Sequence, residues 1–228
     1  MGLRMTMSAV IQIPIFPLPD VVLFPHTLLP LHIFEPRYRQ MVEDALAGDH
    51  RLAMAILRAG WENEYYGRPP VHTVAGVGEI VQHERLADGR FNILLRGTMR
   101  AGIVAELPGN KPYRIVRAKP LLDRYPDDGP MALRDRTERL KVFYIRLLSE
   151  VQKGQSEIAR IFSGVTDPGI IVDRIAGAAI ADTDVRRQVL ELVEVDARLQ
   201  LVQEHLTGVL SYLSDRNAPG ERATGRGN

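Results

Sequence analysis

The stretch FPLPDVVLFPHTLLPLHIFEPRY, residues 16–38, is apolar enough to lie in a core, yet Pro17, Pro19, Pro25, Pro30 and Pro36 interrupt it. Each proline lacks a backbone N–H, so it fits only where that donor would have no partner. Just upstream, Ile11, Ile13 and Ile15 alternate with Val10, Gln12 and Pro14, the period of a strand with one inward face. Pro14 asks for an edge or irregular position in that strand. Pro17 and Pro19 are then expected to end it and Pro25 to close the connection that follows. Pro30 falls in a second strand, TLLPLHIF (27–34), where Leu29, Leu31 and Ile33 share a face. Pro36 opens a helix, EPRYRQMVEDALAG (35–48), in which Tyr38, Met41, Val42, Ala45 and Leu46 recur at helical spacing before Gly48. The prolines therefore punctuate two edge or bulged strands and a helix start.

Further strands follow from the same rules. RLAMAILR (51–58) is a short continuous apolar run, the pattern of a buried strand, and AGWENEYYGRPP (59–70) is a loop by its Gly, Pro and Asn content. VHTVAGVGEIVQHERL (71–86) and RFNILLRGTMRAGIVAEL (90–107) flank Asp88-Gly89, which predicts a hairpin. Gly97 suits a bulge, and PYRIVRAKPLL (112–122) is another strand. DRYPDDGP (123–130) marks a boundary, because from Met131 the apolar period changes to that of helices, with Leu133, Leu140, Phe143, Tyr144, Leu147, Leu148 and Val151 on one stripe. Asp167-Pro168 starts another helix, Asp182 or Thr183 caps VRRQVLELVE (185–194), and residues 196–213 form one more, either separate or continuous with it. The fold class is therefore α+β: a β subdomain over 11–125 with one helix inserted, then an α-helical subdomain over 131–213. Residues 1–10 and 214–228 read as flexible ends.

Charge and composition narrow the function. With 29 basic against 28 acidic residues the formal charge is +1, so no overall field favours phosphate backbones or anionic lipid. Cysteine is absent, which removes disulfides, thiolate metal sites and a Cys nucleophile and suits a reducing compartment. No stretch approaches the roughly 18 apolar residues of a membrane span, and the expected location is the cytoplasm. MGLRMT fits the loose pattern for myristoylation at Gly2, a pattern short enough to occur by chance.

Catalytic signatures are missing. None of Lys111, Lys119, Lys141 and Lys153 follows a glycine, so the phosphate-binding GK[ST] loop is absent. HERLA at His83 begins like a zinc-protease motif but carries Ala87 where the second histidine belongs. Gly76-Val77-Gly78 lacks the third glycine and the following helix of a dinucleotide site. The expectation is no catalytic residues, no metal and no cofactor.

Surfaces remain. Trp61, Tyr65 and Tyr66 lie together in the 59–70 loop, either as aromatic anchors for a partner or as a lid folded over the sheet. Phe34 and Tyr38 flank the strand-to-helix corner, where they line a groove or pack in the core. Glu35 favours the helix N-terminus by its charge, and Arg37 reads as a solvated or ion-paired surface group.

The run IPIFPLPDVVLFPHTLLPLHIFEPRYRQMVEDAL, with GVGEI, RLADGRFNILLRGTMRAGI and VRRQVLELVEVDARLQLVQEHL, resembles the N-terminal substrate-binding domain of Lon proteases, in particular its stand-alone bacterial versions. The resemblance covers nearly everything between Ile11 and Leu213. It implies a PUA-like β pseudo-barrel followed by a helical bundle, and a non-enzymatic role in binding exposed hydrophobic segments of unfolded or client proteins. The ATPase and Ser-Lys protease domains of Lon do not follow in this sequence. Phe34, Tyr38, Trp61, Tyr65 and Tyr66 are then the candidate protein-binding residues, with a separate protease or chaperone as a further partner. Two other readings stand beside this one: RNA binding, since PUA-like barrels also occur in RNA-associated proteins and Arg outnumbers Lys, and sensing of a small ligand in the cleft between subdomains.

Overall fold

A computed structural model describes residues 10–64, 67–151 and 155–217. Six strands form one sheet in the order β2-β5-β4-β3-β1-β6, and β6 pairs again with β5. The strands are β1 (Ile11–Leu18), β2 (Leu28–Ile33), β3 (Arg51–Leu57), β4 (Val71–Arg85), β5 (Phe91–Leu107) and β6 (Arg114–Leu121). The second β5 pairing closes β5, β4, β3, β1 and β6 into a ring. The strand β2 stands outside that ring, paired to the first half of β5 from Leu28 opposite Arg96 to Ile33 opposite Phe91.

The prolines of the opening stretch find their physical reason here. The β1 ladder with β6 runs from Ile11 to Ile15, whereas its parallel ladder with β3 runs from Ile15 to Leu18. Pro14 therefore lies where only β6 is paired and Pro17 where only β3 is paired. Each half of β1 is locally an edge, so neither missing donor interrupts two ladders. Pro17 does not end the strand as expected; the strand runs on to Leu18. Pro30 sits in the outermost strand, opposite Leu94.

Inside the ring, alanines alternate with β-branched side chains: Ile13, Ile15, Ala53, Ala55, Ala75, Val77, Ala101, Val116 and Ala118 pack together. A ring of five strands is narrow, and alanine at the inward positions lets it close. The opposite face of β3 carries larger groups, with Leu52 and Met54 against the helix α1 (Pro36–Leu46) and Ile56 against the helical subdomain. Burial on both faces explains why β3 has no polar alternation.

The segment 21–27 crosses the ring. A side chain at Gly76 would lie 1.9 Å from the Leu23 carbonyl oxygen, and one at Gly97 would lie 2.0 Å from that of Phe24. Both glycines exist to admit this backbone. A shift in register leaves Thr98 as the extra residue between Gly97 and Met99, a bulge beside the glycine that the sequence marks for one. Asp88-Gly89 makes the β4–β5 turn, with Gly89 at φ +80.

The helical subdomain contains α2 (Arg134–Glu150), α3 (Gln155–Phe162), α4 (Pro168–Ala179), α5 (Thr183–Glu191) and α6 (Val195–Asn217). Asp167 caps α4 by accepting from Ile170 N, and Asp182 caps α5 by accepting from Val185 N. The helices α5 and α6 are separate, because Leu192 turns extended and Arg124 pairs with Glu194 between them. The two subdomains share one apolar core, in which Val22, Phe24 and Ile56 pack with Leu140, Tyr144, Ile171, Ile175, Leu199 and Leu206.

Candidate functional site

The outer face of β2 carries an exposed, largely apolar row. Alternation turns Leu29, Leu31 and Ile33 inward and leaves Leu28, Pro30 and His32 outward, with Phe34 continuing the row beyond the strand. Leu28 is 58% exposed and Phe34 is 61% exposed, well above what a core-facing residue shows. His32 ties the row to its neighbours on β5. The His32 ring stacks beside Phe34 with centroids 6.3 Å apart, its Nδ1 lies 2.8 Å from Asn92 Oδ1, and Arg90 Nη1 lies 3.2 Å from its Nε2. Leu94, opposite Pro30, adds a half-buried apolar neighbour from β5.

At Leu28 this row meets a cleft between subdomains. His26, Thr27, Leu28 and Thr98 form one wall and Ile161, Arg174, Gly177 and Ala178 of α3 and α4 the other, around a space of about 570 Å³. Three guanidiniums, of Arg96, Arg160 and Arg174, stand at it, and its lining contains no carboxylate. Arg96 is held by Glu79 at 2.7 Å and Arg160 by Glu157, while Arg174 Nη1 donates to the Ile161 main-chain oxygen at 3.1 Å.

The sequence-predicted residues are placed differently from one another. Phe34 is exposed. Tyr38, four residues on, is 3% exposed and packs its ring 4.2 Å from that of Phe16, so its contact area goes into the core under the corner. The helical turn that begins at Pro36 produces this split, since the main-chain N–H groups of Tyr38 and Arg39 donate to the Glu35 oxygen and rotate Tyr38 inward. Arg37 covers the Tyr38 ring at 4.5 Å and donates through Nε to Glu35 Oε2 at 3.0 Å. Glu35 is the N-cap residue but makes no side-chain bond to a helix N–H. Trp61 is half-buried in a single turn of 3₁₀ helix, Trp61–Glu64, that follows β3. Tyr65 and Tyr66 lie outside the described residues.

One group of side chains escaped the sequence reading entirely. Arg100 of β5, Asp173 of α4 and Arg198 of α6 are 2%, 1% and 0% exposed. Arg100 grips Asp173 with two parallel bonds of 2.8 and 2.5 Å and donates through Nε to the Leu190 oxygen at 2.9 Å. Arg198 Nη1 reaches Asp173 at 2.8 Å, and Nη2 lies 2.5 Å from Asp123 Oδ2 in the boundary segment. Five segments of chain, β5, the boundary segment, α4, α5 and α6, are thereby joined at one point between the subdomains. Gly169 makes room, since a side chain there would fall 2.4 Å from Asp123 Oδ2. Tyr125 donates to the Asp167 carboxylate at 2.8 Å and fixes the same segment against the start of α4.

Among the described residues no group of three or more His, Cys, Asp or Glu side chains could hold a metal, and no helix is long and apolar enough to cross a membrane. The geometry offers surfaces for contact: a rigid apolar row on an edge strand, running into a basic cleft.

The family model for the ATP-dependent protease La (LON) substrate-binding domain matches residues 12–208. The chain belongs to this family. Lon protease from Anaeromyxobacter dehalogenans is 29% identical over 196 residues, which is 85% of this chain and 23% of that protein. Lon protease from Escherichia coli K12 is 27% identical over 205 residues, 89% of this chain and 25% of the relative. The chain thus spans about a quarter of the length of the curated Lon proteases it matches, and the protease domain lies outside the aligned region. Among solved structures, the N-terminal domain of Mycobacterium avium complex Lon protease superimposes with a TM-score of 0.68 at 22% identity, covering 86% of this chain and 98% of that one. The Lon N-terminal domain protein from Xanthomonas campestris gives 0.59 at 18% identity, covering 85% and 98%. The α+β architecture is that of Lon N-terminal domains.

Proposed function

We propose that this LON substrate-binding domain captures exposed hydrophobic segments of unfolded or client proteins on the outer row of β2, with Leu28 and Phe34 as its apolar contacts, and that it does so without catalysis. The observation that carries the reading is the exposure of these two side chains on a row made rigid by the His32 contacts. An exposed apolar side chain that is already ordered loses little entropy on binding. Pro30 on the free edge lacks a donor for a further strand, so recognition falls to side chains rather than to addition of a client strand. Tyr38 supports the corner from beneath. Trp61, Tyr65 and Tyr66, close together in the sequence, are assigned to the same clients, and a separate protease or chaperone in the cytoplasm is the destination for what is bound.

Titration of a labelled, permanently unfolded polypeptide, followed by fluorescence anisotropy, tests this against a folded protein and a structured RNA. Saturable binding of the unfolded chain alone is expected. Preferential binding of RNA that weakens with salt would contradict it. The arginines give that alternative less support, since Arg51, Arg85, Arg90, Arg96 and Arg114 are each held by a carboxylate.

A further inference from the structure

The cleft that adjoins Leu28 is lined by cations without a carboxylate among them. Many of the arginines described face a carboxylate, among them Arg51, Arg85, Arg90 and Arg114. Around the cleft, however, stand three guanidiniums and His26, with no carboxylate in the lining. Two of the three, Arg96 and Arg160, have acidic partners of their own. Arg174 does not: its one hydrogen bond among the described residues goes to the Ile161 main-chain oxygen, through Nη1 alone. It is half-buried, so water screens it less than a fully exposed arginine. The planar fork of a guanidinium is suited to gripping a carboxylate through two donors. Between the cations the cleft is walled by the apolar parts of Thr27, Leu28, Ile161, Gly177 and Ala178.

An occupant must therefore combine an anion with an adjoining apolar group. The last residue of a polypeptide does so within one unit, since its α-carboxylate and its side chain share the same Cα. An internal Asp or Glu offers the anion but sends chain out in both directions through a space of about 570 Å³. Leu28 belongs both to the cleft and to the outer row of β2, so a client lying along the row has its end directed toward Arg174. We infer that the cleft between β2 and the α3–α4 pair binds the free C-terminal carboxylate of a client segment whose final residue is apolar, with Arg174 as the principal cation. This rests on the client-binding reading of the β2 row and adds a terminal preference to it.

Two labelled ten-residue peptides of one apolar sequence ending in Leu test it, one a free acid and the other a C-terminal amide, with N-acetyl-leucine as a competing small carboxylate. The free acid is expected to bind at least about tenfold more tightly than the amide at neutral pH. Arg174→Gln should bring the two affinities together without weakening the amide, and Arg174→Lys should restore part of the difference. Because Arg174 also holds the Ile161 carbonyl, Arg160→Gln serves as a second variant that leaves this bond in place and reduces the acid–amide ratio by a smaller factor. Equal binding of acid and amide by the unaltered protein overturns the carboxylate site while leaving client capture intact. Failure of both peptides to bind overturns both. N-acetyl-leucine binding as tightly as the peptide acid would make the site one for small carboxylates and overturn the peptide assignment.

Discussion

At the scale of single residues, the buried Arg100–Asp173–Arg198 group has the largest consequence for stability. Asp173 is the buried carboxylate that both fully buried arginines share, and the partly exposed Asp123 stands 3.6 Å from Arg100 and 2.5 Å from Arg198. Removing Asp173 leaves two buried guanidiniums with only the partly exposed Asp123 as counter-charge, so Asp173→Ala should cost about 3–5 kcal/mol in urea unfolding. A loss below about 1 kcal/mol would mean that the group is hydrated or rearranges. Nothing in the sequence announced this site. Arg100 sits in a strand whose outward positions are polar anyway, Asp173 in a helix otherwise rich in apolar residues, and Arg198 two residues after an acidic one. Their meeting depends on how α4 and α6 cross β5, which no local period encodes. Titrating groups give a second prediction. Hydrogen bonds from Lys111 and Tyr113 hold the Asp44 carboxyl below its usual value of 3.8. Its folded-state pKa is depressed, so its contribution to stability is complete above about pH 3.8 and fades as the pH falls through the lower folded value. Asp44→Asn should lower stability at neutral pH and flatten the acid limb of the stability curve below pH 4. A parallel downward displacement at all pH values would contradict this.

Among the elements, the prolines of residues 16–38 were legible as punctuation, and the strand–strand–helix reading followed from them. What the sequence could not give was that β1 changes partner at Ile15, which lets Pro17 remain inside the strand. A change of partner depends on strands more than thirty residues away, so alternation alone is blind to it. The glycines at 76 and 78 were legible only as lacking a dinucleotide motif, since their cause, the passage of Leu23 across the ring, is a tertiary fact. Gly97→Ala should force that segment outward and destabilise the fold by about 3 kcal/mol or more, seen as a lower midpoint in thermal unfolding. Gly109→Ala, where no atom lies within 4 Å of the added carbon, is its control and should be nearly neutral. The corner at Glu35 and Pro36 separates two residues that the sequence treated alike: the same helical start that buries Tyr38 leaves Phe34 in solvent. Helical direction, rather than residue type, decides which aromatic can meet a partner.

For the molecule as a whole, the α+β division and the family were legible, because two periods and several long motifs survive in the chain. The candidate surface was only half legible. Phe34 could be named from its position, but Leu28 reads as one more strand leucine until β2 is known to be the outermost strand, and the cleft exists only once α3 and α4 are packed beside it. Trp61 is the chain's single tryptophan, so its emission reports on the 59–70 loop directly. A blue shift on adding the unfolded client is expected if that loop shares the contact, and an unchanged spectrum at saturation would confine binding to the β2 row.

The central claim, that the outer row of β2 is the client surface, is tested most directly by the Leu28→Ser, Phe34→Ser double variant titrated against the same unfolded polypeptide. Both side chains are exposed and contribute little to the core. A loss of affinity of about tenfold or more is expected, with the thermal midpoint nearly unchanged. Undiminished binding by a fully folded double variant would contradict it and move the client surface elsewhere on the domain.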